Sequence, residues 1–254
     1  MHGYRDTSYG DAFADVYDTW YEGISDVAAT VQTLAELLEL ASPVSCPIVE
    51  LGVGTGRIAI PLAERAQPTP VIGIDTSESM LAVMAAKSAP VSVTTIVGDM
   101  VDALPDGPLA VVFVAYNTFF NLPTPARQQQ CFDAVAPRLA PGGCFVIEAF
   151  VPEQPPRHGS HVEVRSLAAD RVVLSVSVHD GDGQTAEGQF VEFTETGGVR
   201  LRPWSICYAG PDQLDAMAAS AGLRLRHRWS DFTTAAFDAD STHHVSVYER
   251  VSAP

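Results

Sequence analysis

The chain has 254 residues, and 46% of them are hydrophobic, which is enough for one large α/β domain or a domain with a modest insertion. Its formal net charge is −16, from 31 acidic side chains against 15 basic ones. Such a surface repels phosphate backbones and anionic lipids, so neither nucleic acid nor a membrane is expected as a partner.

Cysteine usage and the N-terminal composition indicate the compartment. The four cysteines are far apart in sequence and form no C-x-x-C pair, which is typical of reduced core thiols. The first residues, MHGYRDTSYGDAF, are too polar for a signal peptide, and no apolar run reaches the length of a membrane span. A cytoplasmic protein is therefore expected.

Residues 1–46 are predicted to form a helical N-terminal segment. Apolar and aromatic side chains recur at helical spacing between Phe13 and Ile24 and give one strongly aromatic face. A second helical pattern, DVAATVQTLAELLELA, ends before Ser42-Pro43.

The rest of the chain divides into an α/β core, an insertion and a return to the core. Over residues 47–151 short β-branched runs alternate with helical stretches, as in a sheet whose two faces are both covered by helices. Residues 152–209 alternate with period two and predict an antiparallel meander of about three or four strands. Residues 210–254 add one helix and two strands. The predicted fold is a Rossmann-like, mostly parallel, seven-stranded sheet with helices on both faces.

A glycine-rich stretch, IVELGVGTGRIAI, joins the first predicted strand to a helix. It carries Gly52, Gly54 and Gly56, a tight turn where a ligand can approach the backbone. The dinucleotide fingerprint needs a third glycine where this chain has Arg57, and the Gly-Lys-Ser/Thr of a phosphate-binding loop is absent. Glu50, two residues before the first glycine, also argues against a pyrophosphate at this turn.

Acidic side chains end three consecutive predicted strands: Glu50, Asp75 and Asp99. Asp75 can accept hydrogen bonds from both ribose hydroxyls of a nucleoside. Asp99 can accept from an adenine amino group, while Met80 and Met100 pack on the faces of the ring. The three acids beside the glycine turn therefore predict a nucleoside site.

These segments resemble a known family. VELGVGTGR, VIGIDTS with Met80, and VGDM are similar, in order and spacing, to the motifs of class I S-adenosylmethionine-dependent methyltransferases. The resemblance implies S-adenosylmethionine as cofactor and S-adenosylhomocysteine as product. It places Glu50 and the glycines around the amino-acid part of the cofactor, Asp75 on the ribose and Asp99 with Met100 at the adenine. The full expected cofactor set is Tyr9, Tyr17, Glu50, Gly52, Gly54, Gly56, Asp75, Thr76, Met80, Asp99, Met100 and Tyr116.

A finer resemblance rests on ADVYDTWY, on the period-two insertion and on the chain length. These features are similar to the small methyltransferases that N-methylate nucleotide-linked amino sugars. That resemblance implies an aromatic N-terminal lid over the cofactor, supplied by Tyr9, Tyr17 and Tyr21. It also implies that the insertion forms a small sheet over the substrate side.

Topology indicates where the chemistry lies. Ligands of open α/β sheets bind outside the carboxyl ends of the strands, and the family's last strand runs antiparallel beside the fifth. His243 and His244 should therefore lie near Glu148, although only one of the two can face the site. His243 is the first candidate base, with Glu148, Asp231 and Tyr21 behind it. The expected acceptor-binding residues are Asn117, Phe119, Phe120, Phe150, Trp204 and Trp229.

The sequence leaves several functions open. Methyl transfer to a small molecule is favoured, with an amino sugar as acceptor, and an aromatic or indole-like acceptor that uses His243 as base is the alternative. A nicotinamide-dependent oxidoreductase is disfavoured by Arg57 and by the lack of a Tyr-x-x-x-Lys pair. A non-catalytic S-adenosylmethionine-binding protein also stays open. No ligand-spaced cluster predicts a metal, and the meander VVLSVSV can be a homodimer edge as easily as a substrate roof.

Overall fold

The computed structural model describes residues 1–41, 46–87 and 93–251. It contains two sheets. The larger sheet has the strands β1 (Ile48–Leu51), β2 (Val71–Asp75), β3 (Thr94–Val97), β4 (Leu109–Val114), β5 (Leu139–Phe150), β10 (Leu223–Trp229) and β11 (His243–Arg250). The smaller sheet has β6 (Gly159–Leu167), β7 (Arg171–Asp180), β8 (Thr185–Thr194) and β9 (Gly198–Cys207). The helices are α1 (Ser8–Phe13), α2 (Tyr17–Trp20), α3 (Val27–Glu39), α4 (Ala59–Arg65), α5 (Glu78–Ala85), α6 (Pro125–Val135) and α7 (Pro211–Ser220).

The larger sheet confirms the predicted fold class. Its order is β10-β11-β5-β4-β1-β2-β3, and the pairs from β5 to β3 are parallel, whereas β11 runs antiparallel to β5. Strands β1 and β4 are buried at every position, which explains their unbroken apolar runs. The chain order reverses between β1 and β4, and ligands of open α/β sheets bind at the carboxyl ends beside such a reversal.

Two hydrophobic clusters cover the faces of this sheet. One joins α3 and α4 to the sheet around Leu34, Leu62 and Phe113. The other joins α6 and α7 around Phe132, Leu214 and Phe145. Cys46, Cys131, Cys144 and Cys207 are unpaired and buried. No helix among the described residues is long and apolar enough to span a membrane.

The N-terminal aromatic segment differs from the prediction of one continuous helix. It forms two short helices, α1 and α2, because backbone bonding changes at Val16, whose amide bonds to the Phe13 carbonyl and whose φ is −122°. The Phe13 and Trp20 rings both pack edge-on against Phe190 of β8, at centroid distances of 5.8 and 6.0 Å. Contact with the smaller sheet therefore decides the conformation of this segment.

A buried arginine fastens the aromatic segment to the smaller sheet. Arg202 of β9 is 1% exposed and donates to Asp15 at 2.6 Å and to Glu192 at 3.0 Å, and it also donates to the Ala12 carbonyl. Its guanidinium lies 5.1 Å from the Trp20 ring centroid. The cation thus satisfies two carboxylates and one carbonyl at the junction of the two parts.

We expect Arg202→Met to lower the free energy of unfolding by about 2–3 kcal/mol, because the largely buried Glu192 carboxylate loses its hydrogen-bonded partner and keeps only the Arg171 guanidinium 3.6 Å away. Urea unfolding followed by circular dichroism measures the effect. Arg200→Met is the matched control, since Arg200 is 62% exposed and also pairs with Asp15, and it should cost no more than about 1 kcal/mol. Equal effects of the two substitutions would contradict the role given to Arg202.

Candidate active site

The glycine-rich turn between β1 and α4 is shaped by its neighbours. Gly52 has φ +71°, and a Cβ there would overlap the Thr118 side chain, so glycine is required for both backbone and space. The Gly54 amide donates to Asp75 Oδ2 at 2.8 Å, which ties the turn to the end of β2. Gly56 faces Met84 instead of the cavity, so its part in the site is packing.

A cavity of about 380 Å³ lies above this turn. It brings together most of the expected cofactor residues, namely Tyr9, Tyr17, Gly52, Gly54, Asp75, Thr76, Met80, Asp99 and Met100. Tyr4, Arg127, Ser205 and Ile206 also line it, and no sequence pattern had indicated them. The cavity therefore spans from the strand ends of the larger sheet to β9, and its volume lies in the range of small-molecule sites.

Two strand-end acids of this cavity are held by different partners. Asp75 accepts from the amides of Gly54 and Ser77, both at 2.8 Å, and burial raises the pKa of its carboxyl despite these bonds. Asp99 Oδ1 accepts from the Val101 amide at 2.8 Å and from Arg127 at 2.6 Å. The Asp99–Arg127 ion pair spans 28 residues of sequence, and no local pattern reveals it.

A smaller cavity at the glycine turn is lined by one acidic and one basic side chain. Glu50 is 4% exposed, and burial raises the pKa of its carboxyl well above the usual range. Arg57 also lines this cavity, with its guanidinium 4.9 Å from the Tyr116 ring centroid and Nη2 3.2 Å from the Tyr116 hydroxyl. Among the described residues, Glu50 Oε2 and Arg57 Nη1 are buried and have no hydrogen-bond partner. In the sequence, Arg57 is recognisable only as a departure from the dinucleotide fingerprint.

The aromatic N-terminal segment is fastened over the glycine turn. The single lysine of the chain, Lys87, donates to the Thr55 carbonyl and pairs with Asp18 of α2, both at 2.7 Å. The hydroxyls of Tyr9 and Tyr21 lie 3.1 Å apart, and Tyr21 does not line any of the cavities described in this structure. This position gives no support to Tyr21 as a base.

A second large cavity, of about 610 Å³, opens at the carboxyl end of β5. Glu148, Asp231 and His243 line it together, as the topology predicted, and the register pairs His243 with Phe150 and Val245 with Glu148. Asp26, Asp238 and Asp240 add further carboxylates. His244 is buried on the opposite face, where Nδ1 lies 2.9 Å from Ser246 Oγ, so only one histidine of the pair faces the cavity. We refer to this space as the acidic cavity.

Tyr116 connects the acidic cavity to the cofactor side. Its amide donates to Glu148 Oε2 at 2.9 Å, and its hydroxyl bonds to Ser25, which lines the acidic cavity. Tyr116 and Asn117 both have positive φ, +54° and +63°. Asn117 Oδ1 accepts from the Phe150 amide at 2.6 Å, so this side chain ties the loop after β4 to the backbone at the end of β5.

The aromatic mouth expected for the acceptor is not formed. Phe119 and Phe120 have no exposed surface, because a 3-10 turn over Thr118–Asn121 points both rings into the core, and the prediction that they contact the acceptor is wrong. Phe150 packs on Phe120 and Tyr208. Trp229 stacks on His227, and Trp204 packs on Phe190. Of the six expected acceptor residues, all within the described chain, none lines the acidic cavity.

The fold and the geometry of the two cavities together indicate the class of protein. An open α/β sheet carries acids at three strand ends beside a glycine turn, and Tyr116 links a second cavity at the carboxyl end of β5 to this side of the sheet. This arrangement defines a Rossmann-like enzyme that binds a nucleoside cofactor next to an acceptor.

Comparison with known proteins identifies the family. Residues 48–143 match the family described as a methyltransferase domain. The chain is 31% identical over 193 residues to the demethylmenaquinone methyltransferase of Thermus thermophilus, covering 74% of this chain and 79% of that protein. It is also similar to the CcbJ methyltransferase of Streptomyces caelestis, with 37% identity, a TM-score of 0.87 and coverage of 98% and 100%. The chain therefore belongs to the S-adenosylmethionine-dependent methyltransferases of small-molecule type, and the oxidoreductase alternative is wrong.

The fold is shared more widely. CalS10 of Micromonospora echinaspora, described as an amino pentose methyltransferase with S-adenosylmethionine bound, has a TM-score of 0.66 at 21% identity and covers 91% of this chain and 96% of its own. At that identity the likeness shows the fold alone.

Proposed function

We propose that this methyltransferase adds a methyl group to an amine on a small, polar acceptor of the amino-sugar type. The observation that carries the proposal is the acidic cavity, where the half-buried Glu148 lies next to Tyr116 at the boundary with the cofactor side. The fold is shared with an amino pentose methyltransferase, so it can accommodate an acceptor of this class. The acceptor cavity and the cofactor cavity would then lie at the same edge of the larger sheet.

In the part of the chain that the structure describes, two buried polar atoms without a hydrogen-bond partner, Glu50 Oε2 and Arg57 Nη1, indicate how the cofactor would be held. The amino-acid end of S-adenosylmethionine carries an ammonium and a carboxylate. Glu50 Oε2 would accept from the ammonium, and Arg57 Nη1 would donate to the carboxylate, so both buried groups would gain a partner. An ammonium beside Glu50 also favours its ionised form and offsets the rise in pKa that burial causes. Asp75 would hold the ribose, and Asp99 and Met100 the adenine.

The acidic cavity suits an amine in two respects. An alkyl amine is mostly protonated at neutral pH, as the lysine pKa of about 10.4 illustrates, and carboxylates attract that cation. The nitrogen must lose a proton before its lone pair can attack, and the Glu148 carboxylate would accept it. S-adenosylmethionine supplies the methyl group from its sulfonium, and the carbon–sulfur bond breaks with its electron pair as the carbon–nitrogen bond forms.

The name of the demethylmenaquinone methyltransferase gives a quinone acceptor, which favours the aromatic-acceptor alternative, but the geometry of this chain gives that alternative less support. It needs rings at the mouth of the cavity for stacking. Phe119 and Phe120 are in the core, and Phe150, Trp204 and Trp229 contact other side chains of the protein. His243 does line the acidic cavity, so its part in a reaction stays open to test.

A matched pair of acceptors tests the proposal. We expect an amino sugar to be methylated and the same sugar with a hydroxyl in place of the amine to be inert, as measured by release of S-adenosylhomocysteine and by mass spectrometry of the acceptor. His243→Phe should keep most of the activity, because an amine with Glu148 beside it does not need the imidazole. Turnover of a phenol or indole that His243→Phe abolishes, with no turnover of the amine, would overturn the proposal in favour of the aromatic acceptor.

A further inference from the structure

The end of the cofactor cavity that holds Asp99 has two walls from different parts of the chain. One wall, the loop after β3, is lined by Gly98, Asp99, Met100 and Asp102. The other wall, which leads into α6, is lined by Asn121, Leu122, Pro123 and Arg127. Arg127 joins the two walls, because its Nη2 donates to Asp99 Oδ1 at 2.6 Å.

Arg127 occupies a position that its own helix disfavours. It is in the first turn of α6, which begins at Pro125 with Thr124 as its N-cap, and Thr124 Oγ1 accepts from the Arg127 amide at 3.1 Å. The positive end of the helix dipole lies there, so a cation is destabilising at this position. Only 23% of the side chain is exposed, and it lines the cavity. Helix stability does not account for this arginine, whereas its contact with Asp99 does.

The hydrogen bonds to Asp99 leave one carboxylate oxygen for a ligand. Oδ1 accepts from Arg127, from the Val101 amide at 2.8 Å and from the Asp102 amide at 3.3 Å. Within the described chain no donor forms a hydrogen bond to Oδ2. The two amides belong to the same loop as Asp99 and move with it, whereas Arg127 holds the carboxylate from the opposite wall. Asp102 Oδ2 also lies 2.5 Å from Arg127 Nη2, so without this cation the two carboxylates would repel each other at close range.

We propose that Arg127 is a positioning residue that makes the cofactor site specific for a 6-aminopurine. It holds Asp99 Oδ1 and so presents Oδ2 to the edge of the purine, where Oδ2 accepts from the amino group of adenine. A 6-oxopurine places a carbonyl oxygen at that position, and two acceptors that face each other disfavour binding. Without Arg127 the carboxylate can turn toward the N1–H of the oxopurine, and the discrimination falls. This role rests on the proposed contact of Asp99 with adenine and is independent of the acceptor.

Isothermal titration of the full chain with S-adenosylhomocysteine and S-inosylhomocysteine measures the discrimination without any acceptor. The first ligand has an amino group at purine position 6, and the second has an oxo group there. We expect the wild type to bind S-adenosylhomocysteine about a hundredfold more tightly, as one hydrogen bond to a charged group allows. Arg127→Met should lower that ratio to about tenfold or less. The substitution removes a cation from the first turn of α6, so the variant should fold, which circular dichroism checks, and Arg127→Gln is the second variant.

Three further variants separate the contributions of the neighbouring side chains. Arg138→Met removes an arginine that follows α6, pairs with the exposed Asp106 and does not line the cavity, so the ratio should not change. Asp102→Asn keeps the pair of Asp99 and Arg127 and should also leave the ratio unchanged. Asp99→Asn should remove most of the discrimination, since an amide can donate to the oxo group as well as accept from the amino group.

Two results would overturn the inference. One is a folded Arg127→Met with the wild-type ratio beside an Asp99→Asn that loses it, which would leave Asp99 as the adenine contact without help from Arg127. A loss of affinity for both ligands by the same factor counts as this result, because it reports a structural role alone. The other is a wild type that binds both ligands equally, or an unchanged ratio in Asp99→Asn. Either would show that adenine does not bind at Asp99 and would also overturn that contact of the proposed function.

Discussion

Replacing Asp75 with asparagine is expected to weaken S-adenosylmethionine binding about a hundredfold, which corresponds to about 3 kcal/mol. The carboxylate accepts from the Gly54 and Ser77 amides and lines the cofactor cavity, so it both fixes the glycine turn and is placed to accept from the ribose. Hydrogen bonds to a charged acceptor contribute about 1.5–3 kcal/mol each, and an amide oxygen replaces them only in part. Isothermal titration with S-adenosylmethionine and S-adenosylhomocysteine measures the loss.

Asp102→Asn is the matched control for that experiment. Asp102 lines the same cavity and pairs with Arg127, but its side chain is 72% exposed, and exposed ion pairs contribute little. Its affinity for the cofactor should stay within about threefold of the wild type. A loss in Asp102→Asn equal to that in Asp75→Asn would show that general charge in the cavity, and not the ribose contact, determines affinity.

The parts of the fold that the sequence predicts are those set by burial on both faces. Strands β1 and β4 are buried throughout, so their apolar runs identify them without any long-range information. The strand order then places His243 and Glu148 on one cavity, although 94 positions of the sequence separate them. Topology thus predicts which strand ends meet, because the rules for parallel sheets leave few alternatives.

The contacts of individual side chains are set by geometry that local patterns do not encode. Phe119 and Phe120 follow β4 as expected, but the left-handed conformation of Asn117 and the 3-10 turn after it send both rings into the core. The helical spacing of the N-terminal aromatics likewise gives no warning that Phe13 and Trp20 pack on Phe190. The acceptor prediction for Phe119 and Phe120 and the prediction of one N-terminal helix thus both fail where tertiary contacts outweigh the local sequence pattern.

Arg57 and Arg127, the two arginines of the cofactor side, show a second limit on what can be predicted from one sequence. Arg57 follows the third glycine, and its importance depends on a buried Glu50 and on Tyr116, which come from two different strand ends. Arg127 of α6 acts through an ion pair with Asp99, which lies in the loop after β3. A single sequence carries no sign of such pairs, because a charged residue on a helix is most often simply solvated.

Glu148→Gln is expected to lower kcat for amine methylation about a hundredfold and to leave the affinity for S-adenosylmethionine within about twofold. Glutamine is nearly isosteric and can still accept from the Tyr116 amide, so the backbone at the end of β4 should keep its conformation. It cannot take up the proton that the attacking amine must release. A steady-state assay with the amino-sugar acceptor, beside titration of the cofactor, separates the chemical step from binding.

The pH profile distinguishes proton acceptance by Glu148 from a purely structural role. Burial raises the pKa of this carboxyl, the Tyr116 amide lowers it, and the nearby Asp231 raises it further. The carboxylate is lost as pH falls through this raised pKa, so the acid limb of kcat should lie at a higher pH than an ordinary glutamate would give. In Glu148→Gln this limb should be lost and the remaining pH dependence should follow the pKa of the acceptor amine at higher pH, whereas Asp231→Asn, on the same cavity but exposed, should retain both the limb and most of the rate. An unchanged acid limb in folded Glu148→Gln would exclude Glu148 as the proton acceptor and return the assignment to His243.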